Sequence, residues 1–375
     1  MKIALLTHSV NPRGGVVHTL ELARALHDAG HAVTVFAPAA PGQALFRRVP
    51  FAVELVPVPA APKDMVTMVA GRIDATVRHI AALPGRGAFD IWHAQDSISG
   101  NALADLADAG LIDGFIRTVH HLDHFDEPPL MHWQRRAYER ARQVFCVSPL
   151  WCRTLLAEHG IDAMLVHNGV DLQRYRPEAQ ALDAEVAAKH GLRPGAPLWL
   201  AVGGVEERKN TLRLFEAFVQ HRQQRPDTQL AIVGGASLLD HDAYQAAFRE
   251  AVAAAGIGDA LRLTGPVADA EMPSLFRLAD GLLMPSLREG FGLVVLEALA
   301  SGTPVVVSRQ APFTEYLAET DVHWADPCSS TSIAAAMQRA LAQPLHGVPD
   351  VCHRYSWPAS AARHVALYRA LHALA

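Results

Sequence analysis

The sequence predicts an α/β protein made of two doubly wound, Rossmann-like parallel-sheet domains. Three observations carry this. Apolar runs of strand length alternate with helix-period patterns along the chain, which is the signature of βαβ units. At 375 residues and 50% hydrophobic content, the chain can bury two sizeable cores. Glycines cluster where strands hand over to helices, as in Arg13-Gly14-Gly15 and Glu289-Gly290-Phe291-Gly292, and such turns let a backbone approach a ligand closely.

In order, a first strand is expected over 3–7, followed by a turn through Gly14 and Gly15 and a helix over about 16–29 that Gly30 ends. Strands follow over 32–37, 53–58, 91–94, 115–119, 143–147 and 164–166. A proline- and alanine-rich, poorly periodic stretch from 171 to 197 reads as the interdomain connection. The second set of strands is expected over 198–202, 229–233, 261–263, 281–284 and 305–307, and a last helix over 358–375. The domains are thus expected over 1–171, completed by the last helix, and over 172–357.

A net charge near −5 supplies no global attraction to nucleic acid or anionic lipid. The four cysteines show neither metal-type pairing nor disulfide density, which points to a reducing cytoplasm. The opening MKIALLTHSV reads as a strand, too short for a membrane span and lacking a signal-peptide cleavage site. A soluble protein without a transmembrane segment is expected; peripheral membrane contact stays open.

The most informative stretch is PSLREGFGLVVLEALASGTPVVVS, residues 285–308. Its Gly-rich loop opens a helix, so the amides of Gly290, Phe291, Gly292 and Leu293 are expected as donors for an anion at the positive end of the helix dipole. Glu289 stands at the mouth of that site and Glu297 two turns down the helix. Amides for phosphates and carboxylates for sugar hydroxyls fit a diphosphate joined to a polyol. The plainer reading is a capped core helix between two strands. Ser286 before the loop is a further cap or phosphate contact.

Other strand-end loops carry suggestive residues, as expected where doubly wound sheets bind ligands. Arg13-Gly14-Gly15 offers charge and bare backbone, or is an ordinary turn. It lacks dinucleotide GxGxxG spacing, and no acidic residue ends the second strand, which argues against a nicotinamide enzyme. Gly203-Gly204-Val205-Glu206-Glu207-Arg208-Lys209 brings two cations to a helix start, where the dipole disfavours them unless an anion binds. The density of His120, His121, Asp123, His124, Asp126 and Glu127 invites a metal reading, but twenty histidines make chance clusters easy and the spacing matches no helical metal motif. His93-Ala94-Gln95-Asp96 and Asn168-Gly169-Val170-Asp171 read as strand-end and turn structure.

These motifs together, from the first strand to the tryptophan-led last helix, resemble the retaining glycosyltransferases of family 4, the group 1 enzymes. The resemblance implies the GT-B fold, with the two domains facing a central cleft that closes over the donor. It implies hexosyl transfer from a nucleotide-diphosphate-sugar to an unidentified acceptor (saccharide, lipid or small metabolite), with retention and without a metal or other cofactor. Lys209 takes the place of the family's phosphate-binding lysine. The family's arginine is missing, since Gly204 stands there, and Arg208 is the candidate to replace its charge. Glu289 and Glu297 bracket the donor, Gly14 and Gly15 face donor and acceptor, and Thr264-Gly265-Pro266-Val267 matches the loop whose backbone meets the base. His120 matches a histidine near the donor sugar and is expected to titrate near neutral pH. The implied catalytic set is His120, Lys209 and Glu289. Three alternatives are a related GT-B enzyme, such as a sugar-phosphate-accepting synthase that differs only in the acceptor, a nucleotide-sugar-binding protein without turnover, and a metallohydrolase using the His120–Glu127 cluster.

Overall fold

In a computed structural model, the chain is described over residues 1–193, 195–235 and 241–372. It divides into two compact units, one formed by Met1–Gly169 with the chain from Trp357 on, the other by Val170–Ser356.

Unit 1 is a seven-stranded sheet of β1 (Lys2–Leu6), β2 (Ala32–Ala39), β3 (Ala52–Pro57), β4 (Ile91–Ala94), β5 (Ile116–Val119), β6 (Gln143–Cys146) and β7 (Met164–Leu165), in the order β3-β2-β1-β4-β5-β6-β7. Unit 2 is six-stranded: β8 (Leu198–Val202), β9 (Gln229–Val233), β10 (Leu261–Gly265), β11 (Gly281–Met284), β12 (Val305–Ser308) and β13 (His323–Ala325), ordered β10-β9-β8-β11-β12-β13. All pairings are parallel. With helices over both faces, the central strands are buried throughout, so β11 and β12 read as unbroken apolar runs instead of alternating. Each order reverses beside its first strand, which gives one switch point between β1 and β4 and another between β8 and β11.

Packing explains several residue choices. Gly281 pairs with Trp199 across β11 and β8, and a Cβ at Gly281 would come within 2.2 Å of the buried indole. Around Trp199 the unit 2 core gathers Phe215, Phe218 and Phe248 from two helices. In unit 1 the helix Trp357–His372 sends Tyr368 to His93, whose Nδ1 lies 2.7 Å from the phenol oxygen.

Two differences from expectation stand out. The stretch 171–197 is not an irregular connection: it holds the helix Ala181–Lys189, started by a Gln180 N–H to Asp183 bond of 2.9 Å and pinned by Arg277 on Asp183 at 2.6 Å. Pro194 of that stretch, and residues 373–375 of the expected last helix, lie outside the described residues. The strand β13 was not anticipated. Among the described residues no helix is long and apolar enough to cross a membrane.

Candidate functional site

In unit 2 the loops after β8 and β11 meet at the switch point, where open α/β sheets bind ligands. Lys209 comes from the first loop and Glu289 from the second, with Nζ 2.7 Å from Oε2. The two loops are stitched by backbone chemistry. Asn210, in a left-handed conformation (φ 59°), ends the turn Glu207–Lys209. Its side-chain amide donates to the carbonyls of Pro285 (3.0 Å) and Pro327 (2.7 Å). The Leu287 N–H donates to the Arg208 carbonyl at 2.9 Å. Arg208 joins the same cluster, its Nη1 3.5 Å from Glu289 and its Nη2 3.3 Å from the buried Glu206. Burial lowers the Lys209 pKa, and the attraction of Glu289 opposes that shift. Two cations and two carboxylates, Glu206 and Glu289, thus converge on one loop edge.

Gly204 is fixed by geometry. It sits at φ +75°, and a Cβ there would lie 2.7 Å from the Gly235 carbonyl oxygen. An arginine cannot stand at this position without moving the loop after β9. Restoring it as Gly204→Arg is therefore expected to destabilise unit 2 by roughly 1–2 kcal/mol from the left-handed backbone alone, without tightening nucleotide binding. Thermal unfolding with and without nucleotide checks this; a variant as stable as wild type that binds more tightly would contradict it.

The helix after β11 runs over Leu293–Ala300, with Gly292 as its N-cap at φ +93°. The helix therefore starts later than the first-turn reading of Phe291 expected. Leu293 and Gly292 stand at the helix start, but the Phe291 amide precedes it, and the Gly290 N–H is turned toward the Glu289 carboxylate at 3.2 Å. Phe291 instead acts as an anchor. Its ring stacks on Tyr316 (4.5 Å, 7° between planes), and the Tyr316 hydroxyl donates to the Phe291 carbonyl at 3.0 Å. Glu297 is buried on this helix. Ser286 is buried, and its hydroxyl has no partner among the described residues. Val267 lies half-buried just past β10, next to Pro266, which packs on Gly235.

In unit 1 Gly14 and Gly15 are the first two residues of the helix Gly14–Asp28, which begins two residues earlier than expected. Gly15 faces His120, whose Cδ2 would be 3.8 Å from a Cβ there. His120 in turn stands edge-on to His18 at 4.6 Å, and His18 Nδ1 bonds the Asn168 side-chain oxygen at 2.7 Å. Burial holds the His120 pKa well below its ordinary value, so the expected titration near neutral pH is corrected: this imidazole is neutral there. Unread in the sequence was the company it keeps. His18, His93 and His364 are fully buried around it, with His18 lowered to about 4 and His364 to about 3 by burial. The signal that could have found His18 and His364 is their place on the apolar stripes of their helices; His93 lies on the wholly buried strand β4.

Burial of these histidines predicts that unit 1 loses stability in acid. Their folded pKa values lie below 6.5, so the stability they contribute is complete above pH 6.5. As pH falls, the unfolded chain takes up protons that the fold refuses, at about 1.4 kcal/mol per pH unit for each histidine, until the folded pKa is reached. Calorimetry should show one transition falling steeply from pH 6.5 to 5; a flat melting temperature would contradict this.

The histidine-carboxylate segment after β5 does not gather. His121 pairs with Asp123 at 3.2 Å, His124 and Asp126 are exposed, and among the described residues no group of three or more ligating side chains is placed to hold a metal. Asp96 caps the helix Ser97–Asp108 through the Ser99 N–H at 2.8 Å.

Two family models match the chain: "Glycosyltransferase Family 4" over residues 12–174 and "Glycosyl transferases group 1" over 183–356. The phosphatidyl-myo-inositol mannosyltransferase of Mycolicibacterium smegmatis is 30% identical over 381 aligned residues, covering 98% of this chain and 93% of that protein. A D-inositol 3-phosphate glycosyltransferase of Pseudarthrobacter chlorophenolicus is 27% identical, covering 82% and 79%. Among solved structures, sucrose-phosphate synthase from Thermosynechococcus elongatus superposes with a TM-score of 0.79 at 23% identity, over 100% of both chains. HepE of Anabaena, in complex with UDP and glucose, gives 0.75 at 17% identity over 99% of this chain and 100% of that one. With its two parallel-sheet units, its paired Lys209 and Glu289 and these relatives, the chain belongs to the family 4, group 1 glycosyltransferases of GT-B fold.

Proposed function

We propose that the protein transfers a hexosyl group from a nucleotide-diphosphate-sugar to an acceptor hydroxyl, with retention and without a divalent metal, in the cytoplasm. The observation that carries this is the Lys209–Glu289 contact at the unit 2 switch point, beside the start of the helix that holds Glu297. Lys209 and Arg208 pair with the diphosphate oxygens, and the amides of Gly292 and Leu293 extend that charge stabilisation as the leaving group departs. Freed from Lys209 by the diphosphate, Glu289 accepts from hydroxyls of the transferred sugar. Glu297 accepts from the ribose, and the loop of Val267 meets the base. The C1–O bond to the phosphate breaks while the acceptor oxygen bonds C1 on the same face, and its proton passes to the departing phosphate oxygen.

Unit 1 takes the acceptor, with Gly14 and Gly15 giving close approach and neutral His120 hydrogen-bonding a hydroxyl. Relatives named for inositol 3-phosphate and phosphatidyl-myo-inositol support a polyol acceptor. Early-time proton NMR of the product, with and without EDTA, tests the reading. An anomeric configuration identical to the donor's and an EDTA-insensitive rate are expected. Inversion, or loss of turnover with EDTA restored by a divalent cation, would refute it.

A further inference from the structure

Two of the buried histidines of unit 1 are bonded in contrasting ways. His93, on β4, has both ring nitrogens engaged, Nδ1 with the Tyr368 hydroxyl and Nε2 with the Thr118 hydroxyl, each at 2.7 Å. It is satisfied by the core around it. His18, equally buried, has its Nδ1 2.7 Å from the Asn168 side-chain oxygen, while its Nε2 has no partner among the described residues. A carboxamide oxygen only accepts, so Nδ1 carries the ring proton and Nε2 the lone pair. Burial lowers the His18 pKa to about 4, with the bond to Asn168 opposing the shift, so the ring is neutral in the physiological range. A bare buried nitrogen costs stability. The position therefore asks of histidine something that phenylalanine, of similar bulk, does not supply.

The surroundings of His18 indicate what that is. The ring of His120 stands edge-on to it, with centroids 4.6 Å apart. Gly15, three residues before His18 on the helix Gly14–Asp28, also lies against His120, whose Cδ2 is 3.8 Å from where a Cβ would be. Positions three apart share a helix face, so His120 rests on the surface these two residues make. The His120 Nε2 is buried and has no partner among the described residues, so packing on that face holds this edge of the ring. His18 in turn is gripped by the two segments through which the chain leaves and re-enters unit 1. Asn168 is the next-to-last residue before the chain leaves, and Trp357, the first on its return, stands edge-on to His18 at 5.4 Å. The Ser360 hydroxyl donates to the His167 carbonyl and ties these segments together.

We infer that His18 is a positioning residue for His120: Asn168 fixes its tautomer, and the fixed edge and dipole of its ring set how the His120 imidazole meets the acceptor hydroxyl. This rests on reading unit 1 as the acceptor unit. Moving the ring proton from Nδ1 to Nε2 exchanges donor and acceptor ends, so the bond to Asn168 decides which end of His18 is presented among its neighbours.

Nuclear magnetic resonance of the full chain, with isotope-labelled histidine, reads this directly; His18→Phe and His120→Gln assign the two rings. Wild type should show His18 protonated at Nδ1. Asn168→Leu, which keeps the shape and removes the acceptor, should move the ring signals of His120. A His18 protonated at Nε2, or His120 signals unmoved by Asn168→Leu, would overturn the inference. Kinetics separates positioning from stability. With UDP- and GDP-hexoses as donors and myo-inositol offered as acceptor, release of nucleoside diphosphate should fall roughly ten- to a hundredfold in Asn168→Leu, with donor KM held within about twofold. In the double variant His18→Phe/Asn168→Leu both partners are apolar, so thermal stability should recover while release stays slow. Recovery of both would show packing alone and overturn the inference. The double variant also carries the test if Asn168→Leu does not fold. Wild-type release by His120→Gln, with the His120 signals still moved by Asn168→Leu, would instead count against the acceptor reading of unit 1. If wild type releases no diphosphate from these donors, the transferase reading loses support and the ring signals alone decide the positioning.

Discussion

Lys209→Ala should lower kcat/KM by roughly 10²–10³, the usual cost of deleting one preorganised group that stabilises charge in a transition state. The side chain sits where it must to have this effect. It is placed by a turn that Asn210 locks, and it meets Glu289 at 2.7 Å. In the variant Glu289 loses the Lys209 charge while the longer Arg208 contact of 3.5 Å remains, so an arriving diphosphate faces a carboxylate less fully neutralised. Nucleotide affinity should therefore fall together with turnover. Steady-state kinetics beside direct nucleotide binding checks this, and a variant with wild-type kcat/KM would remove Lys209 from the mechanism. Lys209→Arg, which keeps the charge, should recover part of the loss, whereas a purely structural role would make the bulkier side chain at least as damaging.

Glu297→Gln is the second large effect. The residue is buried on the helix Leu293–Ala300, and glutamine keeps its volume and helix propensity while removing the charge. If the carboxylate accepts hydrogen bonds from ribose hydroxyls, nucleoside diphosphate affinity should drop roughly tenfold or more. Inorganic diphosphate, which has no ribose, should bind the variant as it binds wild type. Equal losses for both ligands would show that Glu297 acts through the phosphate site or through packing.

The Arg208–Lys209–Glu289 cluster was legible because its pattern is local. Glycines at a strand-to-helix turn, two cations in one loop, and one carboxylate in a loop with a second on the helix it opens are written in short stretches of the chain, and the structure brings Arg208, Lys209 and Glu289 together. What stayed hidden depends on partners far away in sequence. The His18–Asn168 bond spans 150 residues, so nothing near His18 announces a buried neutral imidazole. The helix Ala181–Lys189 buries only Asp183, Val186 and Ala187, too narrow a stripe to show periodicity. β13 is three residues long, shorter than any pattern of alternation. The helix start at Leu293 turns on one left-handed φ at Gly292, which the letter G allows without specifying.

The unit 2 site is tested most directly by nucleotide binding. A thermal-shift panel of UDP, GDP, ADP and dTDP with their common sugars, in EDTA, should be run on wild type and on Lys209→Ala. A ligand at a hundred times its dissociation constant stabilises the native state by about 2.7 kcal/mol, well within reach of such a scan. A shift with one base is expected in wild type, undiminished by EDTA and lost in Lys209→Ala. A wild type that responds to no nucleotide, or a shift that survives unaltered without Lys209, would contradict it.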